Sequence, residues 1–333
     1  MYIMMKLNRI FNEKVTGDFM NFDKWGGKRY YTLNSFLRHK FGEKVFKISI
    51  DGGFTCPNRD GKVARGGCTF CSEHGSGDFA GSRLLSISDQ FDNVKNMMEK
   101  KWHSGKFIAY FQAYTNTYAP VDELRRKYEE AISKEGVVAL AIGTRPDCVS
   151  EEVIDLLEEM SKKVYIWVEL GLQTSNDKTA EIINRGYKLD VFDDAVKRLR
   201  RRNIDVVAHA IFGLPGETED DMIATVDHLA HSDIQGIKLH LLHLMKHTRL
   251  VKLYEEGKLE FLEKDQYVNL ICKAITRIPD NIVIHRLTGD APRSSLIGPM
   301  WSLKKWEVLN AIDDCMEQND YYQGLDFHTN NYK

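Results

Sequence analysis

The chain has 333 residues, of which 43% are hydrophobic and 28% charged, and its formal net charge is -2. At roughly 100 to 200 residues per domain this length holds two units or one barrel-type domain, and no apolar run approaches the roughly 18 residues of a membrane span. Collagen-like, disordered and membrane-spanning readings are excluded. Residues 1–5 are apolar, but Lys6 and Arg9 interrupt them short of a secretory signal, so a cytoplasmic protein with six reduced cysteines is expected.

Residues 1–47 carry ten Lys or Arg against four acids, a basic segment on an otherwise acidic chain. Phe22, Trp25, Tyr30, Tyr31 and Phe36 are interleaved with these cations. Such a mixture suits a local nucleic-acid contact, and it suits a solvated lead-in helix equally well. Residues 1–44 are therefore read as a basic N-terminal extension.

From residue 45 onward, β-branched runs with strand character alternate with helical periodicity. A strand over 45–50 precedes a helix over 87–102, and a strand over 107–112 precedes a helix over 121–135. A strand over 137–142 leads to a helix over 151–162, and one over 164–170 leads to helices over 177–184 and 191–202. A strand over 204–212 precedes a helix over 219–231, and a sixth strand spans 234–242. Thr218, three residues before Asp221, marks the start of one helix with a capping box.

This alternation calls for parallel strands with crossover helices, an α/β fold arranged as a partial (β/α)6 barrel over 45–248. No G-x-G-x-x-G follows the first strand, which removes the main support for a dinucleotide-binding sheet. Residues 249–333 read as a mostly helical C-terminal extension packed on that core, with helices near 250–256, 263–278 and 303–317 and one strand at 282–287. The basic run from Lys197 to Arg202 ends a helix, where cations suit the carbonyl end of the dipole, so it reads as a solvated face.

Cys56, Cys68 and Cys71 form a C-x11-C-x2-C pattern directly after the first strand. In a parallel α/β fold that loop opens at the carboxyl ends of the strands, where ligand sites gather. Pro57, Asp60-Gly61 and Gly66-Gly67 are turn residues that let the first thiol return to the C-x2-C pair. Three soft thiolates suit zinc, with His74 closing a Cys3His site, or an iron-sulfur cluster with one iron left open for a ligand. Cys148, Cys272 and Cys315 are dispersed and read as free thiols. His209, His240 and His243 fall in or beside strands, where hydrogen-bonded core histidines are the ordinary case, and none is assigned to a metal.

Phe70 before Cys71 completes C-x-aromatic-C, and here the sequence resembles the radical S-adenosylmethionine (SAM) superfamily. The resemblance covers roughly residues 30–250. Thr144-Arg145-Pro146-Asp147 resembles the family's third-strand segment, and Glu169-Leu170-Gly171-Leu172-Gln173 with Ile183-Asn184-Arg185-Gly186 resembles its fourth strand and following helix. Gly213-Leu214-Pro215-Gly216-Glu217-Thr218 resembles the turn after strand five. The eleven-residue cysteine gap matches the branch that contains the catalytic subunit of Elongator and the bacterial YtqA/YhcC-type (MnmL) proteins. The usual Gly-Gly-Glu after strand two is replaced by a segment containing Gln112 and Asn116, which supply acceptor oxygens for the SAM amine.

The resemblance implies a [4Fe-4S] cluster on Cys56, Cys68 and Cys71, with SAM chelating the fourth iron. It further implies SAM contacts from Phe70, Gln112, Asn116, Thr144, Glu169 and Gln173, and from Arg185 to the SAM carboxylate. An electron from a flavodoxin- or ferredoxin-type donor would cleave SAM to a 5'-deoxyadenosyl radical that removes a substrate hydrogen atom. The branch implies a tRNA wobble uridine as substrate, trimmed from 5-carboxymethylaminomethyluridine to 5-aminomethyluridine, with no DNA or membrane partner. Trp25, Tyr30 and Tyr31 are the aromatics expected to hold the RNA base. A radical SAM enzyme acting on a protein or small metabolite, and a zinc-stapled RNA-binding adaptor, are the competing readings.

Overall fold

The computed structural model describes residues 24–75, 77–100 and 105–330. Lys6, Arg9, Lys14 and Phe22 of the basic segment, and the end of the helix predicted over 87–102, lie outside them. Nine strands occur among the described residues: β1 Val45–Ile50, β2 Lys106–Phe111, β3 Val137–Thr144, β4 Tyr165–Gln173, β5 Asp205–Phe212, β6 Gly236–Leu241, β7 Leu244–Met245, β8 Val283–Arg286 and β9 Leu296–Gly298. Seven form one parallel sheet in the order β1-β2-β3-β4-β5-β6-β8, curled into a partial barrel, while β7 and β9 pair antiparallel. The barrel thus has one strand more than the six-strand core expected, because the strand predicted near 282–287 pairs with β6.

The barrel closes because each strand alternates strictly between two environments. Ile48 and Ile50, Ala109 and Phe111, Leu140 and Ile142, Val168 and Leu170, and Val206 and Ala208 pack outward beneath the crossover helices as one continuous core. The helices facing them include α3 Ile87–Glu99, α4 Val121–Ile132, α5 Glu151–Ser161, α7 Leu189–Arg201 and α8 Glu219–Ala230. Helix α8 starts where expected. The Thr218 hydroxyl accepts from the Asp221 amide at 3.3 Å, and the Thr218 amide donates to the Asp221 carboxylate at 2.9 Å. Strand β4 runs three residues beyond its predicted end, through a register shift at Gly171 and Gln173 and with Gln173 at φ +65°.

The inward positions divide by depth. At the amino ends of the strands Ile108, Ala139, Ala141, Trp167 and Val207 meet Leu37 of α1 Leu33–Phe41, so an apolar helix plugs that end. Helix α1 is capped by Thr32, whose hydroxyl accepts from the Ser35 amide at 3.1 Å. Toward the carboxyl ends the inward positions become polar, and the barrel opens.

The aromatic set expected to hold an RNA base is instead structural. Trp25, Tyr30 and Tyr31 are 2%, 6% and 6% exposed, and Trp25 and Tyr31 pack on Val283 of β8. Their cationic neighbours are neutralised by the C-terminal region. Lys28 pairs with Asp313, Arg29 pairs with Asp320 at 2.8 Å, and the Tyr30 hydroxyl reaches Asp313 at 3.3 Å. Aromatic side chains this deeply covered have no free face on which a base can stack. The run from Lys197 to Arg202 is a paired surface, with Arg198 on Asp194, Arg200 on Asp205 and Arg202 on Asp155. No helix among the described residues is long and apolar enough to cross a membrane.

Candidate active site

A cavity of about 720 Å³ occupies the open end of the barrel, and Cys56, Cys68 and Cys71 all line it. Cys56 caps the short helix α2 Pro57–Asp60, its carbonyl accepting from the amides of Arg59 and Asp60 at 2.8 and 3.1 Å. Gly66 and Gly67 then turn the chain back at φ +83° and +78°, a backbone that a residue with a Cβ adopts at a cost. The Cys71 amide donates to the Cys68 carbonyl at 3.2 Å, which sets the C-x2-C pair.

The loop is clamped from the segment after α6 Asp177–Ile182. The Asn184 amide side chain donates to the Gly67 carbonyl at 2.7 Å, and Asn58 donates to the Asn184 carbonyl at 2.7 Å. The Thr69 amide donates to the Ile183 carbonyl at 2.9 Å. A Cβ on Gly186 would stand 2.8 Å from the Asn58 oxygen, so this glycine permits the close approach. The Ile183-Asn184-Arg185-Gly186 motif thus acts as a brace for the cysteine loop.

Arg185 belongs to that brace and does not line the cavity. It is fully buried, and its guanidinium donates to the carbonyls of Leu172, Thr174 and Tyr187 and to Asp177. With its donors aimed at backbone, it is not disposed as the carboxylate fork that the resemblance implied. Asn116 is likewise fully buried outside the cavity wall, donating to the carbonyls of Gly143 and Phe111 at 2.7 and 3.1 Å. Phe70, Gln112, Thr144, Glu169 and Gln173 do line the cavity. The Thr144 hydroxyl is 2.6 Å from that of Thr117, and Gln173 accepts from the Tyr187 hydroxyl at 3.2 Å.

Glu169 has a partner set that the sequence did not announce. Its carboxylate is fully buried and engages Lys238, the His209 ring at 3.1 Å, the Trp167 indole N–H at 3.1 Å and Lys47 at 3.5 Å. Arg145, near the end of the neighbouring strand, grips Asp147 through two nitrogens at 2.9 and 2.6 Å. Burial works to raise the Glu169 pKa, but Lys238, Lys47 and His209 outweigh it and hold the carboxyl well below its usual range. Burial pulls Lys238 down to about 7, against the opposing pull of Glu169. His209 is drawn down to about 4, first by burial and then by Lys238. Lys238 also donates to the Tyr110 hydroxyl at 3.3 Å.

Lys47, Tyr110, His285 and Arg286 are among the cavity residues that sequence reasoning missed, and Lys238 was legible only as a residue of the sixth strand. A signal existed in polar residues at even spacing within apolar strands, two apart in Lys47 and Ser49 and in Lys238 and His240, and four apart in Glu169 and Gln173. Only the register joins them, pairing Gly143 with Glu169 and His209 with Lys238.

Comparison with known proteins agrees with this architecture. The Radical SAM superfamily model matches residues 56–229, and the Radical_SAM C-terminal domain model matches residues 234–318. The chain belongs to the radical SAM superfamily. It is 53% identical over 300 residues to protein YtqA of Bacillus subtilis, covering 90% of this chain and 93% of that one. It is 24% identical over 168 residues to a tRNA uridine(34) acetyltransferase of Methanocaldococcus infernus, covering 50% of this chain and 31% of that one. The structure of the archaeal Methanocaldococcus infernus Elp3 superposes with a TM-score of 0.64 at 15% identity, covering 84% of this chain. This chain spans 64% of that structure, just under two thirds, and the likeness is one of fold.

Membership in the radical SAM superfamily makes the chain an enzyme and implies a [4Fe-4S] cluster and SAM. The residues present fit the cluster. All three thiols line the cavity, the Asn58 amide nitrogen lies 3.6 Å from Cys68 Sγ, and Arg145 favours the Cys68 thiolate. The Cys68 thiol is pushed up, first by its hydrogen bond with Cys71 and then by burial, which places these two sulfurs side by side. His74 does not complete a Cys3His zinc site, since its side chain is 64% exposed and sits beside Glu73.

Proposed function

We propose that this radical SAM enzyme acts on the side chain of a tRNA wobble uridine, converting 5-carboxymethylaminomethyluridine to 5-aminomethyluridine. When bound, the cluster and SAM would supply a 5'-deoxyadenosyl radical to remove a hydrogen atom from the N–CH2–COO⁻ methylene, with the electron drawn from a flavodoxin- or ferredoxin-type donor. The substrate radical would return one electron to that donor and lose the N–H proton to become an imine, whose C–N bond water would cleave to leave the free amine and release the two-carbon fragment as glyoxylate. Cys56, Cys68 and Cys71 hold the cluster, and Phe70, Gln112, Thr144 and Gln173 line the space assigned to SAM beside it. The plugged end of the barrel excludes water from below, and the cavity walls keep the substrate carbon near the site of hydrogen abstraction. Lys238, with a pKa of about 7, and the Tyr110 hydroxyl beside it can hold or move a proton when the amine is released.

The observation that carries this reading is the charged part of the cavity lining, where Lys47 and Lys238 meet Glu169 and where Arg286 and Lys305 meet Asp290. A carboxylate-bearing side chain a few atoms long fits such a space better than an apolar metabolite does. Trp306, next in sequence to the cavity residue Lys305, is 76% exposed, and Phe79, which lines the cavity, is 56% exposed. These residues replace the buried N-terminal aromatics as candidates for stacking and phosphate contact. The similarity to a tRNA uridine(34) acetyltransferase supports a wobble-position substrate. Deleting the gene and profiling wobble nucleosides by mass spectrometry tests the reading. Accumulation of the carboxymethylaminomethyl form is expected, and an unchanged profile would point to a protein or small-metabolite substrate.

A further inference from the structure

The cavity wall farthest in sequence from the cysteines carries an unbalanced charge. Arg286, at the end of β8, pairs with Asp290 at 3.3 Å, and Lys305 pairs with both oxygens of the same Asp290 at 2.8 and 2.9 Å. On the neighbouring strand β6, Lys238 lies in register with Arg286, and it shares the single carboxylate Glu169 with Lys47 of β1. Four cationic side chains therefore face this part of one cavity against two carboxylates. Arg286 acts electrostatically on Lys47, Lys238, His209, His240 and His243, which places it at the centre of the cationic group.

A second observation is independent of the charges. Ring nitrogens of His240, His243 and His285 are buried without a hydrogen-bond partner, and all three rings line the cavity. Buried polar atoms of this kind are ordinarily satisfied, so three beside a surplus of cations mark a place where a bound group supplies their hydrogen-bond partners. Burial keeps His243 neutral, pulled down to about 4 with Arg286 adding to the effect, so its ring donates a hydrogen bond without adding charge.

We infer that Arg286, Lys305, His240 and His243 form a receptor for the substrate's carboxylate, with Asp290 as the positioning residue that holds the two cations at the wall. The inference rests on the proposed function and names the part of the substrate that this wall recognises: the terminal carboxylate of an N-carboxymethyl amine. Planar guanidinium meets planar carboxylate through two parallel hydrogen bonds, and the three cysteines line the same cavity. The carbon next to that carboxylate would then be turned toward the cluster. A receptor of this kind makes the enzyme distinguish its substrate from its product, since the product has lost the carboxylate.

The test uses the full chain reconstituted with iron and sulfide and two anticodon stem-loop RNAs. One carries 5-carboxymethylaminomethyluridine at the wobble position, and the other carries 5-aminomethyluridine. The wild-type protein is expected to bind the carboxylated RNA about tenfold or more tightly, the value of one charge-assisted pair. Arg286→Gln should bind both RNAs with equal affinity while retaining the cluster absorbance and the thermal midpoint of the wild type. Arg286→Lys should keep part of the preference, because it retains charge and loses the paired geometry. Should Arg286→Gln not fold, His243→Gln provides the same readout with a smaller expected loss, about threefold to tenfold.

A preference left unchanged by both Arg286→Gln and His243→Gln overturns the receptor. Equal weakening of both RNAs by Arg286→Gln also overturns it, since that pattern belongs to a phosphate contact. If the deletion strain accumulates the carboxymethylaminomethyl nucleoside and the wild-type protein still binds both RNAs alike, the receptor alone fails. If no nucleoside accumulates, the substrate assignment fails and the receptor with it.

Discussion

At the amino ends of its strands the barrel is filled by Leu37 against Ile108, Ala139, Ala141, Trp167 and Val207. At the carboxyl ends the same inward positions carry Lys47, Glu169, His209, Lys238 and His240 around an open cavity. The strands and their pleat are shared, so backbone geometry does not distinguish the two ends. What differs is the layer. One set of inward residues excludes water by apolar packing, and the next set up is charged, mutually paired and reachable only from above. A plugged base thus gives the charged layer rigid walls and a low dielectric, in which each ion pair and each unpartnered ring nitrogen matters more than it would in water.

The comparison breaks most completely at the open end. Cys68→Ala should abolish cluster absorbance after anaerobic reconstitution and with it 5'-deoxyadenosine formation, while the thermal midpoint of the iron-free protein stays near that of the wild type. A large loss of stability in the iron-free variant would show that the loop is a structural staple. The expected independence follows from the brace, since Asn58, Thr69 and Gly67 are held through Asn184 and Ile183 without any thiol.

The charged layer should respond next. Lys238→Met leaves the fully buried Glu169 carboxylate short of its nearest cation, and removing one member of a buried pair costs about 3 to 5 kcal/mol. Denaturant melts of Lys238→Met and of the double variant Glu169→Met with Lys238→Met should show most of that loss recovered in the double. Lys47, whose side chain is 24% exposed, reaches solvent when Glu169 is gone. A double variant as unstable as the single would mean that the layer is held by packing and not by charge.

The smallest expected effect sharpens the contrast by pH. Burial raises the Glu217 pKa to about 7, against the opposing hydrogen bond from Thr174. A folded pKa above the unfolded one means that the protonated form is the stabilised one. Its contribution is fully present below about pH 4.5 and is lost as pH rises through about 7. Glu217→Gln should therefore gain stability at pH 8 relative to wild type, by about 1 kcal/mol after allowance for its partial exposure, with the gain fading toward pH 5. A gain that does not depend on pH would exclude the carboxyl as its cause.

Much of this was legible in the chain before any folding. The strand-helix alternation from residue 45, the capping box at Thr218 and the C-x11-C-x2-C loop each depend on neighbours close in sequence, so local chemistry announces them. The motif residues were also legible, but their tasks were not. Arg185 and Asn116 were expected at the ligand and stand behind the wall: Arg185 spends its donors on backbone carbonyls, and the Asn116 amide is anchored by its donors to Phe111 and Gly143, which holds its acceptor oxygen outside the cavity lining. Trp25, Tyr30 and Tyr31 were expected at an RNA surface, and the C-terminal strand and helix bury them.

The sequence by itself determined the parallel α/β class, the position of the thiol loop and the periodic placement of polar residues on the inner face. Only the tertiary structure decided that residue 238 neutralises residue 169, that residue 286 completes a seventh strand beside them and that residue 184 braces the loop begun at residue 56. The physical reason is the range of the forces involved. Turn, cap and pleat preferences act over a few residues, whereas buried charges are settled by partners that may lie anywhere in the chain.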